Sequence, residues 1–206
     1  MAQSAKKQQP EIKEVTRETS SIEEHANVLF KPNEGPQTEF LAASEREVLY
    51  GGSAGGGKSY AMLADPLRYM GHPQFSGLLL RHTTEELREL IFKSQELYPK
   101  IWPGIKWSER KMQWTAPSGA RLWMSYLDRD EDVLRYQGLA FSWIGFDELT
   151  QWATPYAWNY MRSRLRSTAP DLPIFMRATT NPGGRGHGWV KKMFIDPAPY
   201  NRAFDA

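Results

Sequence analysis

The stretch "YGGSAGGGKSYAM", residues 50–62, places five glycines and a lysine directly before a run with helical patterning. Glycine inside a regular element costs roughly 0.5–1 kcal/mol relative to alanine, so such a cluster assigns work to the backbone itself. Within it, Gly52-Ser53-Ala54-Gly55-Gly56-Gly57-Lys58-Ser59 matches the spacing G-x-x-x-x-G-K-[ST]. A chain of phosphates needs several backbone N–H groups aimed at it, and side chains would block that approach. In this pattern Lys58 reaches the β- and γ-phosphates, and the Ser59 hydroxyl is a ligand for Mg²⁺. The context agrees. "EVLY" before the loop reads as a short buried strand, and "KSYAMLADPLRYMG" after it reads as a helix with a break at Pro66.

Outward from this loop the pattern repeats. "SGLLLRHT" predicts a strand, and "TEELRELIFKSQELY" a helix opened by Thr84 and acidic residues that suit its positive end. "IKWSERKMQWTAPSGARLWMSYLD" alternates apolar and polar residues around "APSGA" and predicts an antiparallel hairpin. "FSWIGFDE" and "PIFMRATTNP" read as strands, "PYAWNYMRSRLRST" and "GWVKKMFI" as helices. Strands alternating with helices give an α/β fold, a mostly parallel sheet flanked by helices, with the hairpin as an insertion. "VLFKPNEGPQTEFLAA" reads as a loop marked by two prolines and a glycine. Residues 1–27 are polar and without apolar periodicity, which predicts a flexible tail; 28–206 form the domain.

Composition narrows the chemistry. The chain has 206 residues, enough for one domain with a real core. It has no cysteine, so disulfides, cysteine nucleophiles and thiolate metal sites are excluded, and a reducing cytoplasm fits. Four scattered histidines without His-x-x-x-His argue against zinc. No apolar run reaches the ~18 residues of a membrane span, and the N-terminus lacks the apolar core of a secretory leader. A net charge of +2 permits nucleic-acid contact without arguing for it.

Two further motifs bear on a nucleotide. "FSWIGFDE" ends in Asp147-Glu148: a carboxylate at the end of a buried strand can hold Mg²⁺, and the adjacent glutamate can polarise a water for attack on the γ-phosphate. The alternative is an acidic pair opening a helix. Thr179-Thr180-Asn181-Pro182 follows the strand "PIFMRA". At the C-terminal edge of a parallel sheet these side chains lie beside the phosphate loop and can sense the γ-phosphate, or they form a plain turn before proline. Arg81 and Arg135 are candidates for stabilising transition-state charge, in their own site or a neighbour's. Gln37 is a loop glutamine or a reader of adenine's edge. Trp102, Trp107, Trp114 and Trp123 cluster around the hairpin, where packing is the more common use than stacking on bases.

Taken together, "PQTEFLAASEREVLYGGSAGGGKS", "LLLRHTTEELR", "YQGLAFSWIGFDELTQW" and "RATTNPGGRGHGWVKKMF", in this order, resemble the ATPase domain of tailed-bacteriophage terminase large subunits over about residues 30–200. The resemblance implies a P-loop NTPase fold of the ASCE type and ATP hydrolysis that drives double-stranded DNA into a procapsid. Gln37 would contact adenine, 52–59 would be Walker A, Asp147 and Glu148 Walker B and the catalytic glutamate, and Thr179, Thr180 and Asn181 the coupling motif. It implies a homo-oligomeric ring when packaging (a monomer when alone), with a portal protein and a small terminase subunit as partners, in the host cytoplasm and without a membrane. An arginine from one subunit would complete the next subunit's site. Where the family often has Arg-Gly, this chain reads Gln137-Gly138, with Arg135 two residues earlier, so Arg135 stands first for that role and Arg81 second. The family's RNase H-like nuclease domain is not expected within these residues. Three alternatives remain at this stage: a helicase or recombinase ATPase on single strands, a P-loop kinase of a small molecule, and a non-catalytic nucleotide-binding assembly module. For a kinase the Asp-Glu pair would go unexplained.

Overall fold

A computed structural model describes residues 30–53 and 55–197; the expected tail and Ala54 of the glycine loop lie outside the described residues. In chain order these are α1 (Pro36–Ala42), β1 (Glu47–Gly51), α2 (Lys58–Ala64), β2 (Ser76–Arg81), α3 (Thr84–Ile101), β3 (Lys106–Ser108), β4 (Gln113–Thr115), β5 (Arg121–Tyr126), β6 (Trp143–Phe146), α4 (Tyr156–Arg162), β7 (Phe175–Thr180) and α5 (His187–Phe194). They build one seven-stranded sheet in the order β1-β7-β6-β2-β5-β4-β3. Strands β1, β7, β6, β2 and β5 are parallel, while β4 runs antiparallel to β5 and β3 antiparallel to β4.

Period-two alternation loads both faces of the sheet. Leu79, Trp143 and Phe175 face one core with Met62 and Leu63 of α2 and Leu87 and Leu90 of α3. Leu78, Leu80, Ile144, Phe146, Met176 and Ala178 face the other, with Trp158 and Met161 of α4 and Val190 of α5. Gly145 has no side chain because α2 presses on β6 there: a Cβ would stand 2.7 Å from Met62 Sδ and 2.3 Å from the Trp143 ring.

Several local expectations are corrected. Residues 36–42 form a helix, not a loop; Pro36 pre-sets its first turn and Phe40 packs its ring 5.4 Å from Tyr50. The cap of α3 is Thr83, not Thr84: Thr83 Oγ1 accepts from Glu86 N and Glu86 Oε2 accepts from Thr83 N, a reciprocal capping box. Helix α4 stops at Arg162 rather than reaching Thr168, because the chain peels away to pair beside Phe141 through Phe141 N to Arg164 O and Arg166 N to Phe141 O, both 2.9 Å. The expected hairpin is part of the main sheet: β3, β4 and β5 form an antiparallel meander, and β5 also lies parallel to β2 from Ser76↔Arg121 to Arg81↔Tyr126. The break at Pro66 is present, as α2 passes into a 3-10 turn over Asp65–Tyr69. The tryptophans pack: Trp114 is buried with its Nε1 donating to Ser94 Oγ, Trp102 Nε1 donates to Leu67 O, Trp107 stands 5.3 Å from Trp114, and Trp123 meets Phe141 edge-on.

A buried ionic cluster ties three elements together behind the glycine loop. Arg177 of β7 is fully buried and donates to Ala43 O and Glu45 O, both at 2.8 Å. Its Nε lies 3.5 Å from Asp65, which also receives Trp143 Nε1 at 2.7 Å and pairs with Arg68. Burial pulls Arg177 below the ordinary arginine range, and Asp65 opposes that shift.

Candidate functional site

The parallel order brings four strand ends to one edge. Gly51 of β1 opens the glycine loop, Thr179 and Thr180 end β7, Phe146 of β6 leads into Asp147, and β2 ends at Arg81. Strand β7 therefore lies between the loop strand and the acidic strand, and all sequence-predicted polar residues except Arg135 converge here.

The loop is braced from behind. Gly57, left-handed at φ 71°, is the residue just before α2, and a Cβ on it would come within 2.8 Å of Gln37 Nε2. Gln37 is buried in α1; its Nε2 donates to Gly57 O (2.9 Å) and its Oε1 accepts from Asn33 N (2.6 Å). Both ends of the amide are thus engaged with backbone, which corrects the picture of a free loop glutamine. Gly52 and Gly55 also take positive φ, and Tyr50 Oη donates to Gly56 O at 2.8 Å. Lys58 Nζ folds back onto the loop, donating to Gly52 O (3.1 Å) and Ser53 O (2.6 Å). Lys58 is buried.

Across β7 stands the acidic pair. Asp147 is fully buried; its N donates to Leu80 O, its Oδ1 accepts from Thr179 Oγ1, and its Oδ2 lies 3.4 Å from Ser59 Oγ. A hydroxyl and a carboxylate facing each other are hard oxygen donors, the kind that would hold Mg²⁺. Among the described residues no cluster of three or more His, Cys, Asp or Glu side chains forms, so a cage built from protein alone is not offered.

Glu148 is held in the left-handed region at φ 62°, ψ 56°, a conformation that costs a non-glycine residue of order 1–3 kcal/mol when the surroundings impose it. The surroundings do so: Glu148 N donates to Thr179 Oγ1 (3.1 Å), and both carboxylate oxygens accept from Asn181, Oε2 from its N (3.1 Å) and Oε1 from its Nδ2 (2.7 Å). Burial, and then the Asp147 charge, push the Glu148 carboxyl above the usual range, while the Asn181 N–H opposes the shift. Asn181 Oδ1 is buried and has no hydrogen-bond partner among the described residues, which leaves an acceptor beside the carboxylate. Thr180 Oγ1 donates to Thr150 Oγ1 (2.8 Å), and Thr150 Oγ1 in turn reaches Asn181 O (3.3 Å). The 179–181 segment is therefore not a plain turn.

The two arginines separate. Arg81 is buried with its Nε 2.9 Å from Asp147 Oδ2 and its Nη1 3.9 Å from Glu86 Oε1, so it faces the acidic strand end. Arg135 lies on a 3-10 turn (Asp130–Tyr136), donates to Tyr126 O (2.6 Å) and Asp132 O (3.1 Å), and covers the Tyr126 ring. It is not brought to this chain's own phosphate loop. Sequence reasoning missed Thr150, Glu86 and Gln151, whose Nε2 donates to Glu86 Oε1 at 2.5 Å. The signal for Glu86 was the Thr83-x-x-Glu86 spacing; desolvation would raise its carboxyl, but hydrogen bonds from Gln151 and Thr83 and the Arg81 charge hold it below the usual range.

No curated protein matches the chain. Solved structures share its fold. The large terminase of a thermophilic bacteriophage, in complex with ADP, aligns at TM-score 0.61 and 19% identity, over 80% of this chain and 42% of that one. Another crystal form of that terminase gives 0.60 and 19%, over 81% and 43%. The Thermus phage P74-26 large terminase ATPase domain gives 0.52 and 14%, over 75% and 66%. In the first two alignments the chain spans less than half the length of the terminase. The model of the family described as phage terminase large subunit matches residues 44–205, which hold the glycine loop, the acidic pair and the Thr-Thr-Asn segment. The chain belongs to the phage terminase large subunit family.

Proposed function

We propose that this chain hydrolyses ATP and that the hydrolysis drives double-stranded viral DNA into a procapsid. The observation that carries the reading is the Ser59–Asp147 approach across β7, with Glu148 set beside it on the same edge. The ADP complex of the thermophilic-phage terminase, whose fold this chain shares, supports nucleotide binding. Backbone N–H groups of 52–57 bind the phosphates, and Lys58 leaves its loop carbonyls for the β- and γ-phosphates. Mg²⁺, when bound at Ser59 and Asp147, supplies charge neutralisation for the phosphate oxygens. Glu148 accepts a proton from the attacking water, with its carboxylate aimed by Asn181. Because Asn181 follows β7 and touches the base directly, a shift of the 179–181 segment changes both the base and the loop beyond it, which suits a coupling role. Duplex DNA, a portal protein, a small terminase subunit and a ring of copies in the host cytoplasm complete the reading, with Arg135 exposed enough to serve a neighbouring copy.

The test is ATP hydrolysis with water as the only acceptor, measured across protein concentrations, with duplex or single-stranded DNA added and Glu148→Gln alongside. Turnover that rises with concentration, responds to duplex and disappears in the variant is expected. Stimulation by single strands alone would favour a helicase-type ATPase. Phosphoryl transfer only to an added small molecule would favour a kinase, and nucleotide binding without turnover under all conditions an assembly module.

A further inference from the structure

Asp147 carries the site's most deeply buried carboxylate, and an ionised carboxylate without a counter-charge in such a place is strongly disfavoured. Lys58 does not supply that charge, since its ammonium is spent on Gly52 O and Ser53 O. Arg81 does. Its Nε approaches Asp147 Oδ2, the same oxygen that Ser59 Oγ faces. The contact is an ion pair by distance, yet Arg81 Nε makes no directed hydrogen bond among the described residues, so charge rather than linear geometry holds it. A second carboxylate waits on the other side: Glu86 Oε1 is 3.9 Å from Arg81 Nη1 and is held in place by Gln151 and by Thr83.

We propose that Arg81 is a positioning residue that neutralises Asp147 until a divalent cation arrives at Ser59 and Asp147, and that it then transfers its pairing to Glu86. This rests on the nucleotide–Mg²⁺ reading above. It makes Glu86 part of the site through its charge, in addition to its work as the cap partner of α3. Gln151, three residues beyond Glu148, ties that carboxylate to the turn that carries the base.

Two measurements test it. The first is ADP binding at equilibrium as free Mg²⁺ is varied, in the parent chain, Glu86→Gln and Thr83→Ala. Loss of the Glu86 charge removes the alternative partner, so the Mg²⁺ midpoint rises about fivefold, the size of one partly screened ion pair. Thr83→Ala breaks the same capping box but keeps the charge, which Gln151 still holds, so its midpoint moves less than that of Glu86→Gln. An unmoved midpoint in Glu86→Gln, or an equal shift in both variants, overturns the exchange. The second is thermal unfolding of Arg81→Met and of the parent, without and with Mg²⁺ and without nucleotide. The melting temperature falls without Mg²⁺ and is partly regained on adding it, by more than the parent gains. No such recovery overturns the neutralising role. If the parent chain fails to bind ADP with Mg²⁺, the nucleotide reading itself falls, and the Arg81→Met measurement, which needs no nucleotide, still decides the Asp147 pairing.

Discussion

Glu148 concentrates the chemistry of this chain in one residue: left-handed backbone, a half-buried carboxyl raised by burial and by Asp147, and two donors from Asn181. Glu148→Gln keeps the shape and removes the base, so ATP binding persists while turnover falls ~10²-fold or more; nucleotide binding and hydrolysis measured on the same sample check this. The working form is the deprotonated one. A raised carboxyl pKa therefore moves the acid limb of kcat/KM upward, above the ordinary glutamate value of about 4.3. A pH–rate profile whose acid limb sits at or below that value would remove the mechanism's choice of base. Both carboxylates were legible in the sequence, because an apolar run ending in Asp-Glu leaves those side chains at the strand's exit. Asn181 was legible as a polar residue after a strand. That its N–H and Nδ2 grip Glu148 was not, since this depends on β7 lying beside β6.

At the scale of elements, two substitutions probe how helices are held to the sheet. Thr83→Ala removes the α3 cap and lowers stability by about 1 kcal/mol, read as a lower urea midpoint with unchanged slope. Gly145→Ala forces a methyl group between Met62 and Trp143 in a filled core, and overpacking of this kind costs about 1–3 kcal/mol. A Gly145→Ala variant as stable as its parent in the same urea titration would show that α2 is free to retreat from β6. The misread elements share a cause. Helix α1 has seven residues and one deeply buried apolar side chain, Phe40, too few to display a period. At the end of α4, "RSRLRST" keeps helical spacing, yet Phe141 captures the backbone of 164–166.

For the molecule as a whole, the Asp65–Arg177 cluster joins the exit of α1, the far end of α2 and the strand that leads to Thr179. Leaving one charge of a buried pair uncompensated costs about 3–5 kcal/mol, so Asp65→Asn lowers the denaturation midpoint far more than any exposed substitution does. A shift no larger than that of a surface variant would mean that Arg177 is satisfied by its carbonyls alone.

The α/β class, the glycine loop, the acidic pair and the order of motifs along the chain can all be read from the residues in a row. These follow from local causes: glycines where backbone must approach phosphate, period-two apolar runs where strands are buried, carboxylates where such runs end. What those residues face is set by the folded sheet. The insertion of β7 between the loop strand and the acidic strand, the turn of Arg81 onto Asp147, the brace of Gln37 on Gly57 and the annexing of the hairpin by β2 all join residues far apart in the chain. Strand order and register set those meetings, and neither is encoded in the spacing of neighbouring residues.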